Sequence, residues 1–204
     1  MQQNELSIVD VDLLLAWGAT FHHLKKGQVL FCEGGEAHFY YQVVEGRIKM
    51  CNCNKEGKEF IQGMFETGES FGESPLFDGS SYVASAVADE YCVITRLQKE
   101  NFLQLMKENF DIHFSFTQTL ARRLRFKSVI SKEISSYGPQ HRVSTLLKEY
   151  KKDHGINANK LFKVDLTRQQ IADMTGLRVE TVIRSIRMMY EKGEVKIKRG
   201  KVYC

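Results

Sequence analysis

Arg178, Val179, Glu180, Thr181 and Arg184 stand close together near the C-terminal end of a 204-residue chain, interleaved with apolar Val182 and Ile186. On a helix, Glu180 and Arg184 lie one turn apart on one face. That face suits the floor of a DNA major groove. An arginine can donate to both N7 and O6 of guanine, a glutamate can accept from the amino group of cytosine, and Val179 can meet a thymine methyl. Thr167, Arg168, Arg178, Lys196, Lys198 and Lys201 are candidates for phosphate oxygens. Such contacts add affinity and salt dependence but carry little sequence information. The plainer alternative is a surface helix with an ordinary i,i+4 ion pair.

Positioning that face requires two short helices meeting at a turn. Thr167 can cap the first of them while Gln170, three residues on, returns a bond to the cap amide. Ala172 is small where helices cross closely, Gly176 sits at the turn, and Ile171, Leu177, Val182 and Ile186 supply the apolar contacts of a helix-turn-helix. Gly193 ends the second helix. Beyond it Val195, Ile197, Val202 and Tyr203 alternate with Lys196, Lys198, Arg199 and Lys201 around Gly200, the pattern of a small basic hairpin, or wing; a solvated hairpin without a ligand is the alternative.

Charge is divided unevenly. Residues 137–204 hold 15 Lys and Arg against 7 Asp and Glu, whereas residues 1–136 hold 14 against 18. A basic C-terminal domain behind a mildly acidic one is the electrostatic mark of a separate nucleic-acid module. With 43% hydrophobic residues, the length accommodates two small cores. No apolar run approaches the ~20 residues that span a bilayer, and Met1-Gln2-Gln3-Asn4-Glu5 is unlike a secretory signal, so a cytoplasmic protein with no membrane partner is expected. Five cysteines fit a reducing compartment better than a disulfide framework.

Residues 20 to 100 contain short β-branched and aromatic segments: Val29-Leu30-Phe31, Tyr40 to Val44, Arg47 to Met50, Glu59-Phe60-Ile61 and Cys92-Val93-Ile94. Gly34-Gly35, Glu45-Gly46, Glu56-Gly57 and Asp78-Gly79 mark the corners, and no helical period is visible in this stretch, which predicts a barrel or sandwich. Helical spacing returns at Gln98 to Glu108 and again from about Phe110 to Ser135. Ile112, Phe116, Leu120 and Leu124, followed by Val129 and Ile134, form a stripe that a second copy of the chain could cover, which predicts a homodimer. A long helix packed wholly on its own barrel is the alternative. Two recognition helices about one two-fold axis would address major grooves about 34 Å apart, and so a near-palindromic site.

The order of barrel, long helix and winged helix-turn-helix resembles the CRP/FNR family of bacterial transcription regulators over nearly the whole chain. The residues that carry the resemblance are Lys26-Gly27-Gln28-Val29-Leu30-Phe31-Cys32-Glu33-Gly34, Val44-Glu45-Gly46-Arg47-Ile48-Lys49, Phe71-Gly72-Glu73 with Leu76-Phe77-Asp78-Gly79, and Leu166-Thr167-Arg168-Gln169-Gln170-Ile171-Ala172. The resemblance implies an α+β fold: a double-stranded β-helix (jelly-roll) barrel over residues 1–109 as sensor, a dimerisation helix over 110–136, and a DNA-binding domain over 137–204. Val179-Glu180-Thr181-Val182 with Arg184 is similar to the FNR branch, although Ile183 departs from the serine found there. It implies that Glu180 and Arg184 read the G·C pair of a TTGA-like half-site. A contact with RNA polymerase is implied for the loop Asp153 to Lys160 by family position alone.

The resemblance also marks Gly72, Glu73, Tyr82 and Val83 as the effector pocket. Cyclic-nucleotide binders of the family carry Arg with Ser or Thr where this chain has Tyr82 and Val83, and neither of these neutralises a phosphate. An effector other than cAMP is therefore expected, its identity open, with Glu73 closing a turn. An iron–sulfur cluster of the FNR kind is not expected, because residues 1 to 31 contain no cysteine. Cys51-Asn52-Cys53 would share a strand face with redox or metal potential towards Cys32 or Cys92, though plain thiols are the simpler reading, and His22, His23 and His38 lack a spacing that demands haem. No nucleophile elbow, phosphate loop or matched His and Glu metal pattern supports an enzyme. The alternative to a sensor is an effector-independent repressor or architectural protein whose barrel only supports the dimer.

Overall fold

The computed structural model describes residues 8–157 and 160–204, and these fall into two compact units that divide at Leu120 and Ala121. The first unit contains helix α1 (Val11–Ala16) and strands β1 (Thr20–Leu24), β2 (Val29–Phe31), β3 (Phe39–Glu45), β4 (Ile48–Cys53), β5 (Glu59–Phe65) and β6 (Ser70–Phe71). Helix α2 (Ser74–Asp78), strands β7 (Ser85–Ala88) and β8 (Cys92–Gln98), helix α3 (Lys99–Glu108) and the start of α4 (Phe110–Ser136) complete it. The strands pair antiparallel in two four-stranded sheets, ordered β1-β8-β3-β6 and β2-β7-β4-β5, a jelly roll. Helix α2 corrects the expectation of an all-strand stretch: Pro75 starts it and Gly79 stops it after five residues, too short for a helical period to show.

Strand β3 explains why this segment is apolar without strict alternation. Tyr41 and Val43 point into the barrel with Leu24, Ile48, Phe71 and Ile94, while Tyr40 points to the other side, into a core shared with Leu14, Leu97, Phe102 and Leu105. Both faces of the strand are buried, so the period of two is masked. The ring of Tyr40 stacks on Phe102 with centroids 4.2 Å apart, and its hydroxyl donates to Gln42 Oε1 at 2.8 Å, so the buried polar atoms are satisfied.

Phe116 belongs to this same core. It is 1% exposed and meets Phe102 edge-on at 5.6 Å, while Ile112 and Leu120 pack beside it. The placement of Phe116 at a dimer interface is thus corrected: it is covered within its own protomer, where Tyr40, Phe77 and Phe102 form an aromatic nest around it. Leu124, by contrast, is 70% exposed.

The second unit holds the rest of α4, then α5 (Pro139–Asp153), β9 (Lys163–Val164), α6 (Arg168–Thr175), α7 (Val179–Glu191), β10 (Lys196–Lys198) and β11 (Lys201–Tyr203). Val143, Leu146, Leu147, Ile171, Ala172, Val182, Ile186 and Met189 are buried where α5, α6 and α7 pack together. At the α4–α5 corner, Glu133 accepts from His141 Nε2 at 2.8 Å and from the Thr145 hydroxyl at 3.3 Å.

Candidate nucleic-acid interface

Helix α6 begins with a complete capping box. The Gln170 amide donates to Thr167 Oγ1 at 3.1 Å, and the Thr167 amide donates to Gln170 Oε1 at 2.8 Å. The helix ends at Gly176, whose φ of 67° is the left-handed conformation that sets the turn. Helix α7 then starts at Val179 with Arg178 as its cap residue in extended conformation. Its buried side is Val182, Ser185, Ile186 and Met189, so the opposite side carries Glu180, Ile183, Arg184 and Arg187 into solvent.

Glu180 and Arg184 are exposed, and among the described residues neither forms an ion pair. The plain i,i+4 pair that the spacing allowed is not made, which leaves both charged ends available to an outside partner. Arg187, on the same face, does form such a pair, its Nε lying 3.2 Å from Glu191 Oε1. It escaped notice in the sequence, though the i,i+3 spacing from Arg184 was the signal.

The wing is a two-strand hairpin of β10 and β11 extended by β9 into a three-stranded sheet. Arg199 and Gly200 form its turn with φ of 47° and 75°, the pair of positive values that a two-residue hairpin of this twist demands. The basic side chains differ in their surroundings. Lys196 is exposed, Lys198 Nζ lies 5.8 Å from the Tyr203 ring centre, and Lys201 Nζ lies 4.0 Å from Asp165. Arg168 is half-buried, its Nη2 donates to the Gly200 carbonyl at 3.4 Å, and burial lowers its pKa. It ties the start of α6 to the wing turn.

Inside the barrel, Tyr82 is 3% exposed and stacks on Phe31 with ring centroids 3.6 Å apart and planes 9° from parallel. Phe31 also lies 5.7 Å from Tyr41 and 6.2 Å from Phe71. Burial, with Tyr41 and Glu73 nearby, pushes the Tyr82 hydroxyl above its ordinary range, so the ring is neutral. Gly72 runs close beneath: a Cβ there would stand 2.8 Å from Phe31 Cζ. Glu73 is buried and accepts a hydrogen bond from Ser70 Oγ, while Val83 is 67% exposed and lends its carbonyl to Asn52 Nδ2 at 2.7 Å. The structure thus gathers Gly72, Glu73 and Tyr82 and leaves the Val83 side chain outside.

Residues 21–109 match the family of the cyclic nucleotide-binding domain, and residues 141–203 match the Crp-like helix-turn-helix domain. The cAMP-activated global transcriptional regulator CRP of Haemophilus influenzae is 31% identical over 186 residues, which cover 89% of this chain and 83% of that protein. The chain belongs to the CRP/FNR family of transcription regulators.

Solved structures agree on the fold of this CRP/FNR regulator. A CooA mutant from Carboxydothermus hydrogenoformans superposes with a TM-score of 0.79 at 18% identity, covering 94% of this chain and 84% of that one. FixK2 from Bradyrhizobium japonicum gives 0.75 at 20% identity and 91% of each chain. The α+β architecture of barrel, long helix and winged helix-turn-helix is therefore shown, and with it a DNA-binding transcription regulator of the CRP/FNR type. Among the described residues, no helix is long and apolar enough to cross a membrane.

The cysteines of this regulator do not converge. Cys51 is buried and Cys53 exposed although both lie on β4, where Cys53 is the last residue of the strand. Burial, reinforced by Glu59, pushes the Cys51 thiol up to about 12. His23 Nδ1 lies 2.9 Å from the Tyr91 hydroxyl, and His38 lies on the exposed surface beside Glu36. Among the described residues, no His, Cys, Asp and Glu side chains are grouped to hold a metal ion.

Proposed function

We propose that this chain is a homodimeric regulator that reads a two-fold symmetric, TTGA-like operator through Val179, Glu180 and Arg184, and whose barrel responds to a small-molecule effector other than cAMP. The observation that carries the DNA reading is the unpaired exposure of Glu180 and Arg184 on the outer face of a capped, well-packed helix. A charge-bearing face without internal partners gains most from base edges that complement it. Thr167, Arg178, Lys196, Lys198 and Lys201 lie on the same domain and hold the phosphates in this reading. Arg168 contributes by fixing the wing as well as by its charge.

Dimerisation rests on α4. The exposed Phe110, Phe114 and Leu124 leave apolar surface that a second copy covers, with the partly buried Ile112 and Leu120 flanking it. Effector occupancy would then act by shifting the paired helices, which set the spacing of the two recognition helices. RNA polymerase is a further partner in this scheme. Its candidate contact, the loop 153–160, includes residues 158 and 159, which lie outside the described residues.

The Haemophilus relative is cAMP-activated by its name, but the barrel of this chain argues for a different ligand. Where the family pattern places a guanidinium and a hydroxyl, Tyr82 is stacked on Phe31 and Val83 faces away. Each lost hydrogen bond to a charged phosphate is worth on the order of 1.5–3 kcal/mol. The same filled interior supports the second reading, an effector-independent repressor or architectural protein. Selection of binding sites from a random duplex pool at two salt concentrations, followed by cAMP titration of the recovered complex, tests both statements. Recovery of a symmetric TTGA-like site with no response to cAMP is expected. An operator that tightens many-fold with cAMP overturns the effector proposal, and no enrichment overturns the operator proposal.

A further inference from the structure

Helix α7 places an apolar side chain between charged ones. Ile183 is 51% exposed, and at about 100° per residue it falls with Glu180, Arg184 and Arg187 in one arc roughly 100° wide, opposite the buried Val182, Ser185, Ile186 and Met189. Single exposed aliphatic residues are common and ordinarily need no explanation. This one is distinguished by its neighbours. Glu180 precedes it by about 4.5 Å along the axis and Arg184 follows by about 1.5 Å, so any groove floor that satisfies those two charged ends also covers Ile183.

The other exposed apolar residues of α7, Met188 and Tyr190, lie more than a turn further on, beyond the N-terminal part of a recognition helix that reaches base edges. Nothing in a base edge that hydrogen-bonds can compensate an aliphatic side chain. The thymine 5-methyl is the apolar group that the major groove offers.

We propose that Ile183 is a specificity-determining residue of the DNA interface, packing on the 5-methyl group of a thymine beside the G·C pair addressed by Glu180 and Arg184. This rests on the proposed reading face of α7 and adds to it a contact that selects thymine over every base lacking that methyl. Val179, nearer the start of the helix and only partly buried, is the competing methyl reader.

The test uses the full chain and the operator recovered by selection, with each thymine of one half-site replaced in turn by deoxyuridine, which lacks only the methyl. Competition binding is measured for the parent, Ile183→Ala and Val179→Ala. Ile183 is exposed and alanine favours the helix, so the variant keeps its fold. The expected result is a thymine beside the G·C pair, distinct from any that answers to Val179, where deoxyuridine weakens the parent about four-fold, the factor for one methyl-sized group taken from water. That sensitivity disappears in Ile183→Ala and persists in Val179→Ala. Equal sensitivity in the parent and Ile183→Ala, loss of sensitivity only in Val179→Ala, or no sensitive thymine at all overturns the Ile183 assignment while leaving Glu180 and Arg184 as readers. Failure to recover any operator overturns both.

Discussion

Replacing Arg184 by alanine separates recognition from folding. The guanidinium is exposed and has no ion pair among the described residues, so its loss breaks no internal ion pair, and alanine suits the helix. Stability should stay within about 0.5 kcal/mol of the parent. Binding should change far more. A bidentate arginine–guanine contact is worth about 1–3 kcal/mol against the wrong partner. A dimer loses it in both half-sites, about 2–6 kcal/mol, which is roughly 30-fold to 10⁴-fold in Kd.

Anisotropy titrations of the operator and of a scrambled duplex, each at several salt concentrations, read this directly. Specific affinity should collapse towards that for the scrambled duplex, while weak, salt-sensitive association survives through the lysines. Lys198→Ala should do the converse, weakening both duplexes alike and lowering the salt slope by about two, one for each half-site. If Arg184→Ala bound the operator as tightly as the parent, or lost affinity equally on both duplexes, the assignment of α7's outer face to base reading would be refuted.

Three further outcomes follow from the packing. Thr167→Ala should cost about 1 kcal/mol in urea denaturation, because both bonds of the capping box are present, whereas Thr167→Ser should retain most of it. Gly46→Ala should be far more damaging than Gly176→Ala. Both have positive φ, worth about 1–2 kcal/mol of strain, but a Cβ on Gly46 would stand 2.2 Å from the Tyr91 carbonyl oxygen while one on Gly176 meets open space, a contrast that thermal melts of the two variants will show. Iodoacetamide at mild alkaline pH should label Cys32 and Cys53 first, and Cys51 and Cys92 only after unfolding. The fold favours the neutral Cys51 thiol, so its stabilising contribution is full below the ordinary value of 9.0 and is lost as pH rises from there towards about 12.

The helix-turn-helix was legible in the residues alone because its devices are local. A cap bonds to an amide three residues on, a glycine takes a positive φ by itself, and Val182 with Ile186 follows the helical period. The same holds for most barrel strands and for the wing, where Arg199 and Gly200 make the turn and alternating lysines mark the outer face. Family resemblance supplied the order of the domains and marked the residues proposed for the effector pocket.

Long-range packing decided the rest. The stripe on α4 could not reveal that Phe116 sits in a nest of Tyr40, Phe77 and Phe102, since those residues are brought together from β3, α2 and α3. Strand β9 has only two residues and forms because β11 supplies its hydrogen bonds. The substitution of Tyr82 for a cation was visible as a missing charge, but its stacking on Phe31, fifty-one positions earlier, exists only once β2 and the segment before β7 meet in the barrel. Likewise the i,i+4 spacing of Glu180 and Arg184 permitted an ion pair, but among the described residues neither of them forms one. Spacing sets which side chains share a face; which of them touch, and which remain free for DNA, depends on the atoms that packing places around them.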